Sequence, residues 1–389
     1  MQKLTVGVFF GSRSTEHDVS IITAISSVIK PLELSQRFEV VPVYISKKGK
    51  WYSDEKLKDI DLFSSGEIDN WCEKHASIEL SFDGGLRLLQ PGLRRRAIKI
   101  DIAFPALHGT HGEDGEVIAI FEAANIPYVG CTVAASVVAM DKVLAKQVAE
   151  ASGILTSPFH HFTKYAFEHN QAHWITLINH TLQYPVFVKP AHLGSSIGIT
   201  RVLDPKDLAD AIEVALHYDS RALVEQAIPN LVEVTLPVMG NDEPRPALLE
   251  QPLTKPEDFF NFETKYMSGG KKGTGGAKSG KQGAQGYSKI PADLSKTLYA
   301  KAESLGLEVY KALGCTGTAR VDMLIDTKEH AVYFNEVNPL PGSLYAHNWS
   351  RAGVSNVELV TKLVDLAEER HTQAMALETS FKTSFLQQF

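Results

Sequence analysis

Two apolar runs of strand length, TARVDMLI (318–325) and AVYFNEVN (331–338), carry polar residues two positions apart. Side chains of a strand alternate between its faces, so Glu336 and Asn338 share one face, as do Arg320 and Asp322. If the runs are neighbouring strands, two carboxylates, a carboxamide and a guanidinium converge. The three oxygen groups are hard ligands suited to Mg2+, and Arg320 adds a fixed positive charge. An ion-pair network at a sheet end is the competing use of the same residues.

The 389 residues exceed what one core usually organises and suit two or three domains. With 44% hydrophobic and 22% charged residues, the composition is that of a globular protein. No apolar run approaches a membrane span, and the N-terminus MQKLTVGVFFG reads as a first strand rather than a signal peptide. A net charge of −7 argues against nucleic acid as a partner. Cys72, Cys131 and Cys315 lie far apart in sequence. They suggest reduced thiols in a cytoplasmic protein, with no CxxC metal site.

Along the first part of the chain, strand and helix signals alternate. Leu4–Phe10, Phe38–Ser46 and Ile100–Ala106 read as strands. Thr15-Glu16-His17-Asp18 has capping-box form before the helical series Val19, Ile22, Ile25 and Val28, which Pro31 should stop. Glu113–Asn125 reads as helix, leading to a short apolar element at Tyr128. This order predicts an α/β domain with a parallel sheet over residues 1–138. A smaller α+β unit follows over 139–228, with helices Met140–Ala151 and Pro205–His217 and strands Val186–Lys189, Ile197–Val202 and Ala222–Glu225. A third unit, 229–372, contains strand Glu233–Met239, the segment Ala247–Gln251, helix Ala292–Leu313, the two opening runs and helix Val357–Glu369. The tail 373–389 has weak periodicity. Within a loop region at 258–290, Ser268–Gly286 holds eight glycines and four lysines in nineteen residues. Such a stretch cannot bury apolar area; it suits a spacer or a lid over an anionic ligand.

The segment VKPAHLGSSIG (188–198) places Lys189 at a strand end before a Gly/Ser turn. Small residues let backbone N–H groups approach phosphate, and Ser195 and Ser196 add donors. It is not a Walker A loop, which needs Gly-Lys-Ser/Thr entering a helix. Lys142 at a helix start offers another cation. Glu225 ends an apolar strand, where a carboxylate can accept from an adenine amino group, and Glu233 follows for a ribose hydroxyl.

In order, the chain reads MDK, VKPAHLGSSIG, VEQAI, ARVD and NEVNPLPG. This series resembles the ATP-grasp superfamily. The segments GSRSTEHDVS (11–20), LHGTHGEDG (107–115), YVGC and Glu263-Thr264-Lys265-Tyr266 narrow the resemblance to the D-alanine–D-alanine ligase family, over roughly residues 4–370. The resemblance implies a three-domain ATP-grasp ligase in the cytoplasm that couples ATP hydrolysis to joining two D-amino acids, for peptidoglycan precursors. ATP would phosphorylate the first carboxylate, and the second amine would attack the acyl phosphate. It implies ATP and two Mg2+ ions as cofactors, with Mn2+ as a substitute for Mg2+, and a homodimer. Lys142, Lys189 and Ser196 would hold phosphates, Lys265 the γ-phosphate, and Glu225 and Glu233 the adenine and ribose. Asp322, Glu336 and Asn338 would bind the metal. Arg320 and the Gly342 N–H would form an oxyanion hole. Glu16 would face the first ammonium, ordered by Ser195 and Tyr266. His108 and Glu113 would line the same side. Tyr266 marks an amine rather than a D-lactate acceptor.

The chain departs from the family after Gly342. The stretch SLYAHNWSRAG (343–353) reaches the next shared glycine a few residues early. No residue matches the serine that binds the acceptor carboxylate, and Ser343, His347 and Asn348 are substitutes by location only. A related ligase with a different acceptor, an inactive ATP-binding paralogue and a carboxylase-like enzyme are the alternatives. The intact Lys142, Lys189, Arg320, Asp322, Glu336 and Asn338 argue against the inactive form, and no biotin or bicarbonate site supports the carboxylase.

Overall fold

The computed structural model describes residues 3–92, 96–194, 197–253, 288–378 and 383–389. Ser195, Ser196, Lys265, Tyr266 and the loop 268–286 lie outside the described residues.

The first sheet has the order 51–52, 38–45, 4–11, 102–105. Its three longer strands pair in parallel and the short edge strand is antiparallel. Leu4–Gly11 is buried on both faces beyond its first two residues, which is why it reads as a continuous apolar run. Val6, Val8 and Phe10 enter one core, and Phe9 enters the core on the opposite face. The expected strand Ile100–Ala106 is instead two strands. Ala97–Ile100 joins a small antiparallel sheet with 79–81 and 86–89, and Ile102–Pro105 joins the main sheet.

Two local expectations are corrected. Pro31 does not end the first helix, which runs through α-helical His17–Ile22, a π turn at Thr23–Ile29 and α-helical Lys30–Ser35. In a regular α-helix the proline ring would meet the carbonyl four residues back; the wider π turn before Pro31 changes that register. The helix stops at Gln36, which is left-handed with φ 57°. The capping box does not form either: Glu16 stands at the N-cap without a side-chain cap bond. Its own N–H donates to Ser14 Oγ at 3.0 Å.

The central sheet has the antiparallel order 200–202, 186–190, 221–226, 159–163. Helix Leu208–Tyr218 seals it through Leu208, Ala211, Ile212, Ala215 and Leu216. The third sheet has the order 245–246, 231–240, 317–326, 331–338. Helix Lys296–Ala312 lies against it so closely that a Cβ on Gly306 would come within 2.6 Å of the Leu236 side chain.

The helix Asn356–Met375 is capped by Ser355 and Glu358 and extends well past Glu369. Its buried Leu359, Val360, Leu363, Val364 and Ala367 join the core of the first sheet, beside Val6, Val8 and Phe10. Arg37 and Asp365 pair at 2.6 Å along this contact. Near its end Arg370 donates to Tyr128 O at 2.8 Å and Thr316 Oγ1 at 2.6 Å, joining the N-terminal and third units. At the same seam the buried Cys131 thiol donates to Thr316 O at 3.5 Å, and Cys315 is buried as a free thiol as well. Among the described residues, no helix is long and apolar enough to cross a membrane.

Candidate active site

The strands 317–326 and 331–338 set Arg320 opposite Asn338 and Asp322 opposite Glu336, with a register shift just after Asp322. Arg320 grips Asp322 with two bonds, Nε to Oδ1 at 2.7 Å and Nη2 to Oδ2 at 2.5 Å. Asn338 Nδ2 donates to Asp322 Oδ2 at 3.3 Å. Burial opposes the Arg320 charge, but the Asp322 carboxylate outweighs it and holds the guanidinium protonated. The bulge interrupts the regular ladder directly beside this cluster, and pairing resumes at Met323 opposite Phe334.

Two lysines face the cluster from the central unit. Lys142 opens helix Lys142–Ala151, whose N-cap Asp141 accepts from the N–H groups of Val143 and Leu144. Lys142 Nζ donates to Leu193 O at 2.8 Å and lies 3.2 Å from Glu336 Oε2. Lys189, at the end of strand Val186–Pro190, pairs with Glu225 Oε1 and donates to Asn335 Oδ1 at 3.4 Å. Glu225 is held from its other oxygen by Lys146 at 3.1 Å and Ser157 at 3.2 Å. Burial pushes the Glu225 carboxyl up, but Lys146 and Lys189 overcome it and bring the pKa to about 2. Burial lowers the pKa of Lys146, whereas for Lys189 the pull of Glu225 wins over burial and raises it. Glu233 is paired with Leu324 across the third sheet and is half-buried.

The turn after Lys189 is anchored from behind by His192. Its N–H donates to Asp219 Oδ2 at 2.8 Å, and its ring lies 2.9 Å from Asp219 and 3.3 Å from Asp141. These two carboxylates, against partial burial, raise the imidazole pKa to about 9. Arg221 closes the set on Asp141 at 3.0 Å. One ion network thus fixes the start of the Lys142 helix and the turn leading to Ser195 and Ser196.

Glu16 approaches the same turn from the N-terminal unit. A Cβ built on Gly194 would lie 3.3 Å from Glu16 Oε2, and one on Gly109 would lie 2.8 Å away. Gly109 also has φ +71°, so it needs glycine both for its backbone and for room beside Glu16.

After Asn338 the chain makes an unusual turn. Ser343, Leu344 and Tyr345 are all left-handed, with φ of 50°, 53° and 50°. Three consecutive non-glycine residues in that region cost on the order of 3–6 kcal/mol. Leu344 is fully buried in the N-terminal core, which contributes about 1.5–3 kcal/mol. The Ser343 N–H donates to Thr23 Oγ1 at 3.0 Å, a bond adding about 0.5–1.5 kcal/mol. Arg320 lies 5.1 Å over the Tyr345 ring, adding about 0.5–2 kcal/mol. Cost and support balance to within a few kcal/mol, so the turn depends on all three contacts.

His108 and Glu113 sit behind this turn. His108 Nε2 is 2.8 Å from Thr23 Oγ1, and its Nδ1 is 3.4 Å from Glu113 Oε1. Glu113 Oε2 accepts from the Gly109 N–H at 2.9 Å. Burial raises the Glu113 pKa against the opposing pull of His108. Of the residues proposed by location, His347 pairs with Glu250 at 2.9 Å. Asn348 is fully buried; it exchanges bonds with both backbone groups of Leu248 and donates to Glu250 Oε2 at 3.1 Å. Its polar atoms are therefore spent on the segment 248–250. Thr23, Lys146 and the His192 network were not singled out from the sequence. Lys146 had a usable signal, since it lies one helical turn from Lys142 on the same face.

The chemistry of this cluster fits a nucleotide and a divalent metal. Three oxygen-bearing side chains and buried ammonium groups meet between two sheets, each ion now paired with a neighbour of opposite sign. The family model for the D-ala D-ala ligase N-terminus matches residues 5–131, and that for the D-ala D-ala ligase C-terminus matches residues 148–365. A D-alanine–D-alanine ligase of Natranaerobius thermophilus is 34% identical, over 99% of this chain and 100% of its own length. The solved D-alanine–D-alanine ligase from Coxiella burnetii superimposes with TM-score 0.77 at 26% identity, covering 96% of this chain and 98% of that one. The VanG D-Ala:D-Ser ligase from Enterococcus faecalis gives TM-score 0.76 at 31% identity, covering 94% and 100%.

Proposed function

The chain belongs to the D-alanine–D-alanine ligase family, and from that premise we propose that it joins D-alanine to a second D-amino acid with conversion of ATP to ADP, for peptidoglycan precursors. The observation that carries this reading is the Arg320–Asp322–Asn338 cluster with Glu336 bound to Lys142 across the cleft. Asp322, Glu336 and Asn338 would hold Mg2+, in a set suited to two ions. A bound divalent ion neutralises phosphate charge and makes the phosphoryl group more electrophilic.

The protein's own groups divide the remaining work. Lys142 and Lys189 bind phosphate oxygens, exchanging their carboxylate partners for the nucleotide. Glu225 and Glu233 face the nucleoside. Lys265, Ser195, Ser196 and Tyr266 complete the set by sequence match alone. Glu16 receives the first ammonium beside Gly109 and Gly194. Arg320 and the Gly342 N–H stabilise the developing oxyanion. Homodimeric assembly follows from the family alone, and light scattering tests it.

The test is phosphate release with ATP, Mg2+ and D-alanine, with the product identified by mass. Failure to form any dipeptide from a panel of D-amino acids would refute the ligase reading.

A second reading concerns the acceptor. By sequence match the stretch 343–353 reaches the next shared glycine a few residues early; Tyr345 lies under Arg320, and Asn348 is spent on residues 248–250. The similarity to a D-Ala:D-Ser ligase points to D-serine as the first alternative. Competition between D-alanine and D-serine, read as the ratio of the two dipeptides, decides between them.

A further inference from the structure

We propose that Thr23 is a positioning residue for the acceptor side of the reaction, its hydroxyl locking the left-handed turn 342–345 to the N-terminal unit. The inference rests on the ligase reading above and adds a residue to it. Thr23 is fully buried and opens the π turn of the first helix. Its Oγ1 accepts the Ser343 N–H at 3.0 Å and meets His108 Nε2 at 2.8 Å. His108 is oriented in turn by Glu113, and Glu113 by the Gly109 N–H. One hydroxyl therefore joins the first helix, the 108–113 loop and the turn after Asn338.

The directions of these bonds are mutually consistent. In the His108 tautomer that carries its proton on Nδ1, that N–H points to Glu113 Oε1 and Nε2 accepts the Thr23 hydroxyl proton. That leaves a Thr23 lone pair for the Ser343 N–H. The neighbouring Leu344 N–H is satisfied within the turn by Pro341 O at 2.9 Å. The Ser343 bond thus ties the turn to the N-terminal unit. Ser343 follows Gly342 directly, so rotation of the turn would re-aim the Gly342 amide. A threonine held only for packing would be served as well by valine, which has nearly the same shape and no hydroxyl.

The test compares Thr23→Val, Thr23→Ala and Thr23→Ser in the full chain. Removal of the hydroxyl should lower kcat by about 10–100-fold, as expected for a slight misplacement of a reacting group. KM for the acceptor should rise while KM for ATP stays unchanged, and Thr23→Ser should recover most of the activity. Should Thr23→Val not fold, Ala and Ser differ only by the hydroxyl and carry the comparison. Equal kinetics for Ala and Ser, or full activity in Thr23→Val, would overturn the proposal. Amide exchange at Ser343, read without substrates, separates it from the ligase reading. Exchange should quicken about tenfold or more in Thr23→Ala but not in Thr23→Ser; equal exchange in both overturns the proposal even if the wild type makes no dipeptide. A wild type without ligase activity but with hydroxyl-dependent protection of Ser343 would refute the reaction while upholding the lock.

Discussion

Lys189 and Glu225 form a buried ion pair, and Lys146 holds the second oxygen of the same carboxylate. Two ammonium groups thus depend on one carboxylate, so its removal is costlier than loss of either lysine. Glu225→Gln should destabilise the fold by about 3–5 kcal/mol, the cost of leaving buried charge uncompensated. Urea unfolding at neutral pH reads this directly. The native pKa of about 2 lies below the ordinary carboxylate value, so the contribution is present above about pH 4.5 and is lost as pH falls toward 2.

Arg320 should be worth more to turnover than to folding. Arg320→Lys keeps a charge but loses the two-pronged hold on Asp322 and the planar contact with Tyr345. Replacement should lower kcat by about 10²–10³-fold, or 2.7–4 kcal/mol of transition-state stabilisation. Steady-state assays and thermal melts run side by side check the separation.

Glu336 should set the demand for metal. Chelation by EDTA should abolish turnover, and Mg2+ should restore it. Glu336→Gln removes a charge from the ligand set and should raise the Mg2+ concentration for half-maximal activity by about tenfold or more. The same substitution frees Lys142 from its carboxylate, so the KM for ATP should not rise in parallel when Mg2+ is saturating.

His192 links pH to the turn after Lys189. Its native pKa is raised to about 9 by Asp141 and Asp219, above the unfolded value near 6.5. Its contribution is therefore complete below about pH 6.5 and lost as pH rises through 9. The side chain is 45% exposed, so solvent screening keeps the effect modest. Urea midpoints between pH 6 and pH 9.5 should fall less steeply in His192→Gln than in the wild type. An NMR titration of the imidazole gives the pKa itself.

The strands were legible where burial on one or both faces leaves a pattern. Leu4–Gly11, Phe38–Ile45 and the pair 317–326 and 331–338 carry it plainly. Strand Phe159–Thr163 did not, because FHHFT has one buried residue and no apolar alternation. Pro31 misled because a π turn is invisible to a rule built on α-helical register. The capping-box form of Thr15-Glu16-His17-Asp18 misled for another reason: Glu16 stands at the N-cap without a side-chain cap bond, and its carboxylate faces Gly109 and Gly194. The spacing of Glu336 and Asn338 was enough to put them on one face. The importance of Thr23 was not legible, since a threonine inside an apolar helix resembles packing until its partners at His108 and Ser343 are seen.

The helix Asn356–Met375 supplies part of the core beneath the first sheet. During synthesis, Val6, Val8 and Phe10 leave the ribosome long before the leucines that cover them. The N-terminal unit cannot finish folding in the order in which it is made. A chain halted before Asn356 would hold most of the catalytic groups yet expose that apolar face. Its fate would be aggregation or chaperone capture rather than partial activity.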